Sequence, residues 1–174
     1  MPPLAAPRAS SGSPPDGELA LIATALRRLR TDDDPRGALA TLDEHGARFP
    51  AGSLKREATL ARVETLLALD RRGDALRVLD GEAIGDLPRA RAVRATRGEL
   101  RAELGRCADA LKDFDGLLSS NHRDEYAERA LYGRAACRAR GGDAARVRAD
   151  LTLYQTLYPH GRFAAEVQRL LAGP

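Results

Sequence analysis

Aromatic side chains are scarce in this chain, at 4% of residues, and tryptophan is absent. A core without them has to be built from leucine and alanine. Such small side chains suit helices that approach closely, and they leave little with which to fill a β-sandwich. Lysine is nearly missing as well: Lys55 and Lys112 stand among 28 basic residues, and the rest are arginine. No window reaches the roughly 18 apolar residues that a membrane-spanning helix needs. Two cysteines, Cys107 and Cys137, are too few for a disulfide framework and form no metal-binding pattern. They fit either two small buried side chains at helix contacts or a single bridge in an oxidising compartment. Residues 1–15 lack a charged start followed by an apolar run, so no signal peptide is expected there.

The catalytic motifs are missing too. His45, His122 and His160 are the only histidines, none at metal-ligand spacing from another, and there is no HExxH or CxxC. No phosphate-binding loop, dinucleotide fingerprint or nucleophile elbow occurs. The expectation is a chain without catalytic residues, metal, cofactor or small-molecule substrate. A net charge of +3, with acidic and basic residues interleaved almost throughout, argues against a nucleic-acid-binding face.

What is present is a rhythm. Phe49-Pro50-Ala51-Gly52-Ser53-Leu54 is followed by Glu57, and Tyr158-Pro159-His160-Gly161-Arg162-Phe163 by Glu166. In each copy the aromatic closes a helix, proline stops it, glycine turns the chain, and glutamate enters the next helix where the dipole favours it. The copies lie 109 residues apart, three periods of roughly 36, the range of helical-hairpin repeats. Weaker junctions fall at residues 86–90 and 120–124.

A second element recurs between them, at Gly73-Asp74-Ala75, in the Gly105 to Ala110 stretch and at Gly142-Asp143-Ala144. Glycine here predicts a tight helix–helix turn, aspartate a cap, and alanine close packing. Asp34-Pro35 reads as an N-cap followed by proline at the first helical position, and Ser53 as the cap of the third helix. Leu19, Ile22, Ala23, Leu26 and Leu29 form one apolar stripe on the first helix. Tyr132 and Tyr154 read as core residues, and Phe49 and Tyr158 as plugs at helix ends. Residues 1–16, rich in proline and serine, read as a disordered tail or a linker to something upstream, and residues 17–174 as a single repeat domain.

These residues resemble a tetratricopeptide-repeat array over nearly all of residues 17–174. Ala38 and Pro50 stand at the family's spacing of small second-helix residue and terminal proline. Gly98 and Gly133 take the small first-helix position ahead of Ala110 and Ala145. The chain departs from the pattern where the first-helix aromatic is missing and where the second repeat ends early, at residues 81–85. The resemblance implies an all-α, right-handed α-solenoid of about four hairpins plus a C-terminal helix from about His160. The proline–glycine junction is similar to divergent repeats of bacterial cell-envelope proteins, among them outer-membrane assembly lipoproteins and periplasmic division-coordinating proteins, and to repeat domains of membrane-anchored regulators. That implies a non-enzymatic scaffold for a partner protein, periplasmic if it belongs to a membrane-anchored protein and otherwise cytoplasmic. A self-assembling adaptor forming homo-oligomers is the alternative. Arg27, Arg62 and Arg97 repeat at the period, and Arg94, Arg97 and Arg101 form a stripe on one helix. Stacked hairpins would turn them into a ladder gripping carboxylates of an acidic peptide.

Overall fold

The computed structural model describes residues 16–120 and 122–173. The expected tail therefore lies outside the described residues, apart from Asp16, which begins the first helix. Helices α1 (Asp16–Arg30), α2 (Pro35–Arg48) and α3 (Lys55–Ala68) form one compact unit. A second unit contains α4 (Arg72–Asp80), a 3-10 turn (Ile84–Asp86), α5 (Ala90–Glu103), α6 (Cys107–Leu118), α7 (Glu125–Arg140), α8 (Ala144–Leu157) and α9 (Ala164–Ala172). The described residues are thus all-α, with the expected number of helices and the early end of the second repeat. The second expected hairpin is divided, α3 belonging to the first unit and α4 to the second. The last helix starts at Ala164, because residues 158–163 are spent on the junction.

The turn inside each hairpin obeys a rule that the glycines only half reveal. The residue just before each second helix's N-cap has left-handed backbone: Asp33, Asp70, Gly105 and Gly142, with φ of 50°, 56°, 79° and 75°. Aspartate tolerates that conformation better than most residues, and glycine takes it without steric cost. Gly73 lies inside α4 instead. The caps shift accordingly. Asp34 and Asp143 accept the Gly37 and Arg146 amides at 2.8 and 3.1 Å, as N-caps should. Asp74 and Asp109 sit three residues further in and pair with Arg71 and Arg106, which occupy the cap positions without a side-chain cap.

The repeated junction is held by a buried carboxylate, and this corrects the expected stripe on α1. The buried face carries Glu18, Ile22 and Ala25, whereas Leu19 is 55% exposed and Ala23 also faces solvent. Glu18 is fully buried. Its Oε1 accepts the Leu54 amide at 3.0 Å and lies 3.3 Å from His45 Nε2. Its Oε2 accepts the Ser53 amide and the Ser53 hydroxyl, each at 3.2 Å. Ser53 therefore does not cap α3; Leu54 stands at that position and the serine binds Glu18.

Glu128 repeats the arrangement in the second unit. It accepts the Arg162 amide at 2.5 Å and the Tyr154 hydroxyl, and that hydroxyl in turn accepts the Phe163 amide at 2.9 Å. His45 and Tyr154 hold the same place, seven residues before the junction glycine. Neither Gly52 nor Gly161 has positive φ. A Cβ on Gly52 would overlap the Glu18 carboxylate, and one on Gly161 the Glu128 carboxylate. The junction glycine is there to admit an acid.

Two further glycines make room for the largest core side chain of the second unit. Phe114 of α6 is fully buried between Gly98 of α5 and Gly133 of α7, where an added Cβ would stand 2.6 Å from its ring in each case. Around it pack Ala95, Ala110, Leu117, Ala130 and Cys137. A bridge joins Cys107 to Cys137, with Cα atoms 5.3 Å apart. The chain-entropy argument makes a loop of that length worth about 3 to 4 kcal/mol.

Gly98→Ala and Gly133→Ala should each destabilise the second unit by about 1 to 2 kcal/mol, overpacking against Phe114 outweighing the gain in helix propensity. Gly46→Ala, on an open helix surface with nothing near its Cβ, should instead stabilise by up to about 1 kcal/mol. Urea denaturation of the three variants checks the opposite signs.

Burial pushes the Glu18 carboxyl up, but hydrogen bonds from the Leu54 amide, Ser53 and His45 outweigh it and leave it below its ordinary value of 4.5. A depressed carboxylate stabilises fully above its unfolded value, and the contribution is lost as pH falls through the folded value. Glu18→Gln should therefore cost roughly 2 kcal/mol at neutral pH. The gap to wild type should close as pH drops below 4.5, measured by thermal unfolding at a series of pH values.

Candidate peptide-binding groove

The arginines expected to form a ladder make their contacts within their own units. Arg27 is exposed and lies 3.9 Å from Asp32, and Arg62 pairs with Asp43 at 2.7 Å. On α5, the face carrying Arg94, Arg97 and Arg101 is turned toward α6. Arg97 and Arg101 close on the buried Asp113 at 2.6 and 2.8 Å, and Arg101 also holds Asp80 at 2.6 Å. The Arg94 guanidinium lies against Gly116 of α6.

The same internal clamp recurs on the next hairpin. Arg134 and Arg138 of α7 hold the buried Asp150 of α8 at 2.7 and 2.6 Å. In the first hairpin Arg28 donates to the Thr41 hydroxyl at 3.1 Å. Thr41, Asp113 and Asp150 each stand seven residues after the N-cap of their helix. Of the periodic arginines, Arg97 ties its first helix to its second, whereas Arg62 reaches back to α2 and Arg27 to the turn residue Asp32. Burying one carboxylate against two guanidiniums specifies register between helices more than it adds stability. The acids near these arginines in sequence pair with others: Glu64 binds Arg30, Glu99 binds Arg129 and Glu103 binds Arg72.

The opposite face of α5 is open. Glu99, Ala102 and Glu103 form one wall of a groove of about 310 Å³; Arg129, Tyr132, Gly133, Ala136 and Arg140 of α7 form the other. Phe114 lies at its floor, visible past Gly133, and Arg162 and Phe163 close one end. The Tyr132 and Phe163 rings stack in parallel with centroids 4.2 Å apart, and the Arg162 guanidinium lies 5.4 Å above the Phe163 ring. Burial pushes the Tyr132 phenol up, so it remains a neutral hydrogen-bond donor at physiological pH.

The cations of this groove differ in commitment. Arg129 is neutralised by Glu99, with Nε 2.7 Å from Oε1. Arg140 donates to the Ala102 carbonyl and passes 3.8 Å from Cys107 Sγ, while Arg162 engages only its own neighbouring ring. Among the described residues, neither Arg140 nor Arg162 has a carboxylate partner. The groove thus offers an apolar, aromatic floor between two uncommitted guanidiniums, which suits a segment with an apolar anchor flanked by acids. Sequence reasoning passed over Arg140 and Arg162. Their signal was weak: they follow no period, and only the fold brings residues 99–103, 129–140 and 162–163 together.

No family model matches the sequence, and no curated protein matches it. Two solved structures share the fold. A tetratricopeptide repeat protein from Parabacteroides merdae is 18% identical, with a TM-score of 0.75 over 90% of this chain, and this chain spans only 59% of that one. A double mutant of MamA RS-1, also a tetratricopeptide-repeat protein, is 16% identical, with a TM-score of 0.74 over 91% of this chain and 83% of that one. The chain accordingly has the tetratricopeptide-repeat fold, of the α-solenoid class.

Proposed function

We propose that this chain is a non-enzymatic scaffold whose second unit binds an acidic segment of a partner protein in the groove between α5 and α7. The observation that carries the reading is the pair of carboxylate-free guanidiniums, Arg140 and Arg162, flanking the Tyr132–Phe163 stack. Both are exposed, and the third arginine of the groove, Arg129, is already matched to Glu99, so these two are the groove's cations left to meet a partner's acids. The Cys107–Cys137 bridge supports an extracytoplasmic setting, since such bonds persist where the surroundings are oxidising. This favours an envelope or membrane-tethered complex over a cytosolic one.

Self-assembly is a second reading with its own observation. Leu170 of α9 is 53% exposed and borders an apolar cleft of about 320 Å³ lined by Ala139, Val147, Leu151 and Leu171. A sedimentation mass that rises with concentration, and that falls back in Leu170→Glu, would favour it.

The groove is tested by panning short synthetic peptides in which acidic, basic and apolar content vary independently. Peptides pairing acidic residues with leucine or phenylalanine should be retained, and retention should weaken with salt. The Arg140→Glu/Arg162→Glu variant should bind them at least about tenfold more weakly, as expected for reversed charge at a contact. Equal retention of acidic and basic peptides, or no effect of the variant, would remove this reading.

A further inference from the structure

We infer that the Cys107–Cys137 disulfide gates the groove: it holds the two walls at binding separation, so the site becomes competent on oxidation. The inference rests on the reading of the groove as a peptide site and concerns its regulation.

The bond sits where the walls meet. Cys107 is the first residue of α6, joined to α5 through the left-handed turn at Gly105. The α5 wall residues Ala102 and Glu103 immediately precede that turn, and the α7 wall residues Ala136 and Arg140 bracket Cys137. A single covalent link therefore fixes the end of one wall against the end of the other. Arg140 connects the bond to the site itself, since its guanidinium touches both the Ala102 carbonyl and the Cys107 sulfur.

Reduction would change two things there. The walls would then be joined by the Arg129–Glu99 pair, the Arg140 contact and side-chain packing. The neutral sulfur beside Arg140 would become a thiol at a helix N-terminus next to a guanidinium, two features that favour the thiolate. That anion would compete with a partner's carboxylate for Arg140. The rest of the unit has support of its own, because the Asp113 and Asp150 clamps tie α5 to α6 and α7 to α8 without the bond.

The chemistry is ordinary thiol–disulfide exchange. Cys107 is half-buried, whereas Cys137 is only 2% exposed, so Cys107 is the sulfur within reach. A dithiol such as dithiothreitol attacks Cys107 Sγ, and Cys137 leaves as a thiolate that takes up a proton. The resulting mixed disulfide is resolved by the second thiol of the reagent, which releases Cys107 as a thiol and leaves the reagent, having supplied both electrons, as a cyclic disulfide. Glutathione disulfide reverses the change, accepting two electrons and leaving two molecules of glutathione.

The test compares the oxidised chain, the dithiothreitol-reduced chain, the chain reoxidised with glutathione disulfide, and Cys107→Ser/Cys137→Ser. Each is read by amide deuterium exchange and by the affinity for a fluorescein-labelled peptide alternating glutamate and leucine. Reduction should accelerate exchange over residues 99–106 and 133–142 while leaving α8 protected. It should also weaken peptide binding about tenfold, within the usual range of coupling between two sites. Reoxidation should restore both, and the serine variant should match the reduced chain. Unchanged exchange in those segments, acceleration throughout the second unit, or equal affinity of the oxidised and reduced forms would overturn the gate. A peptide bound by neither form, alongside the localised change in exchange, would instead sink the acidic-peptide reading and leave redox control of the groove walls standing.

Discussion

A buried carboxylate reaching from a first helix to the junction some 35 residues later is the contact on which the repeat depends. Glu18 and Glu128 each accept amides that the proline–glycine turn would otherwise leave without a helical partner. Each acid gives those amides a partner within the chain, and a donor left unmatched where helices pack is costly. The acid in turn demands that the junction carry glycine, because any side chain would occupy its place. It also demands a polar companion from the second helix, His45 in one copy and Tyr154 in the other. Burial and the hydrogen bond to Glu128 both push the Tyr154 phenol up, which keeps it a donor. Among the described residues, every buried side-chain nitrogen or oxygen finds a partner in the same way.

Arginine is used with similar economy. Where the second helix carries a buried acid, two arginines of the first helix close on it, and this fixes how the helices of a hairpin slide against each other. That commitment removes Arg97, Arg101, Arg134 and Arg138 from any role in binding. What is left uncommitted is informative: on the open face between α5 and α7, only Arg140 and Arg162 keep guanidiniums free of carboxylates. The same face is stapled by the one disulfide, so the site and its covalent support belong to one stretch of the second unit.

Much of this architecture was legible in the residues. The duplicated aromatic–proline–glycine junction marked where hairpins end, and proline after aspartate marked the start of α2. The four-hairpin count followed from the period alone. The misplacements share a cause, which is that local pattern reports a residue's type and not its partner. Glu18 looks like a surface charge beside Leu19, yet it faces inward because its acceptors are needed by amides 35 and 36 residues away. Gly52 looks like a residue chosen for backbone freedom, yet its φ is ordinary and the space above it is what counts. Arg97 and Arg101 look like a stripe offered to a ligand, yet Asp113 sits across from them on a neighbouring helix. Phe114 drew no notice because the glycines that accommodate it lie on two other helices.

A double-mutant cycle on Glu128 and Gly161 measures the central contact directly. Gly161→Ala and Glu128→Ala are made singly and together, and unfolding free energies are taken from urea denaturation. If the glycine exists to admit the carboxylate, Gly161→Ala should be costly in the wild-type background and much less so once Glu128 is removed, leaving only its approach to the Tyr154 hydroxyl, a coupling of about 2 kcal/mol. Additive losses would mean that the glycine answers to the backbone alone, and the carboxylate would lose its place as the organiser of the junction.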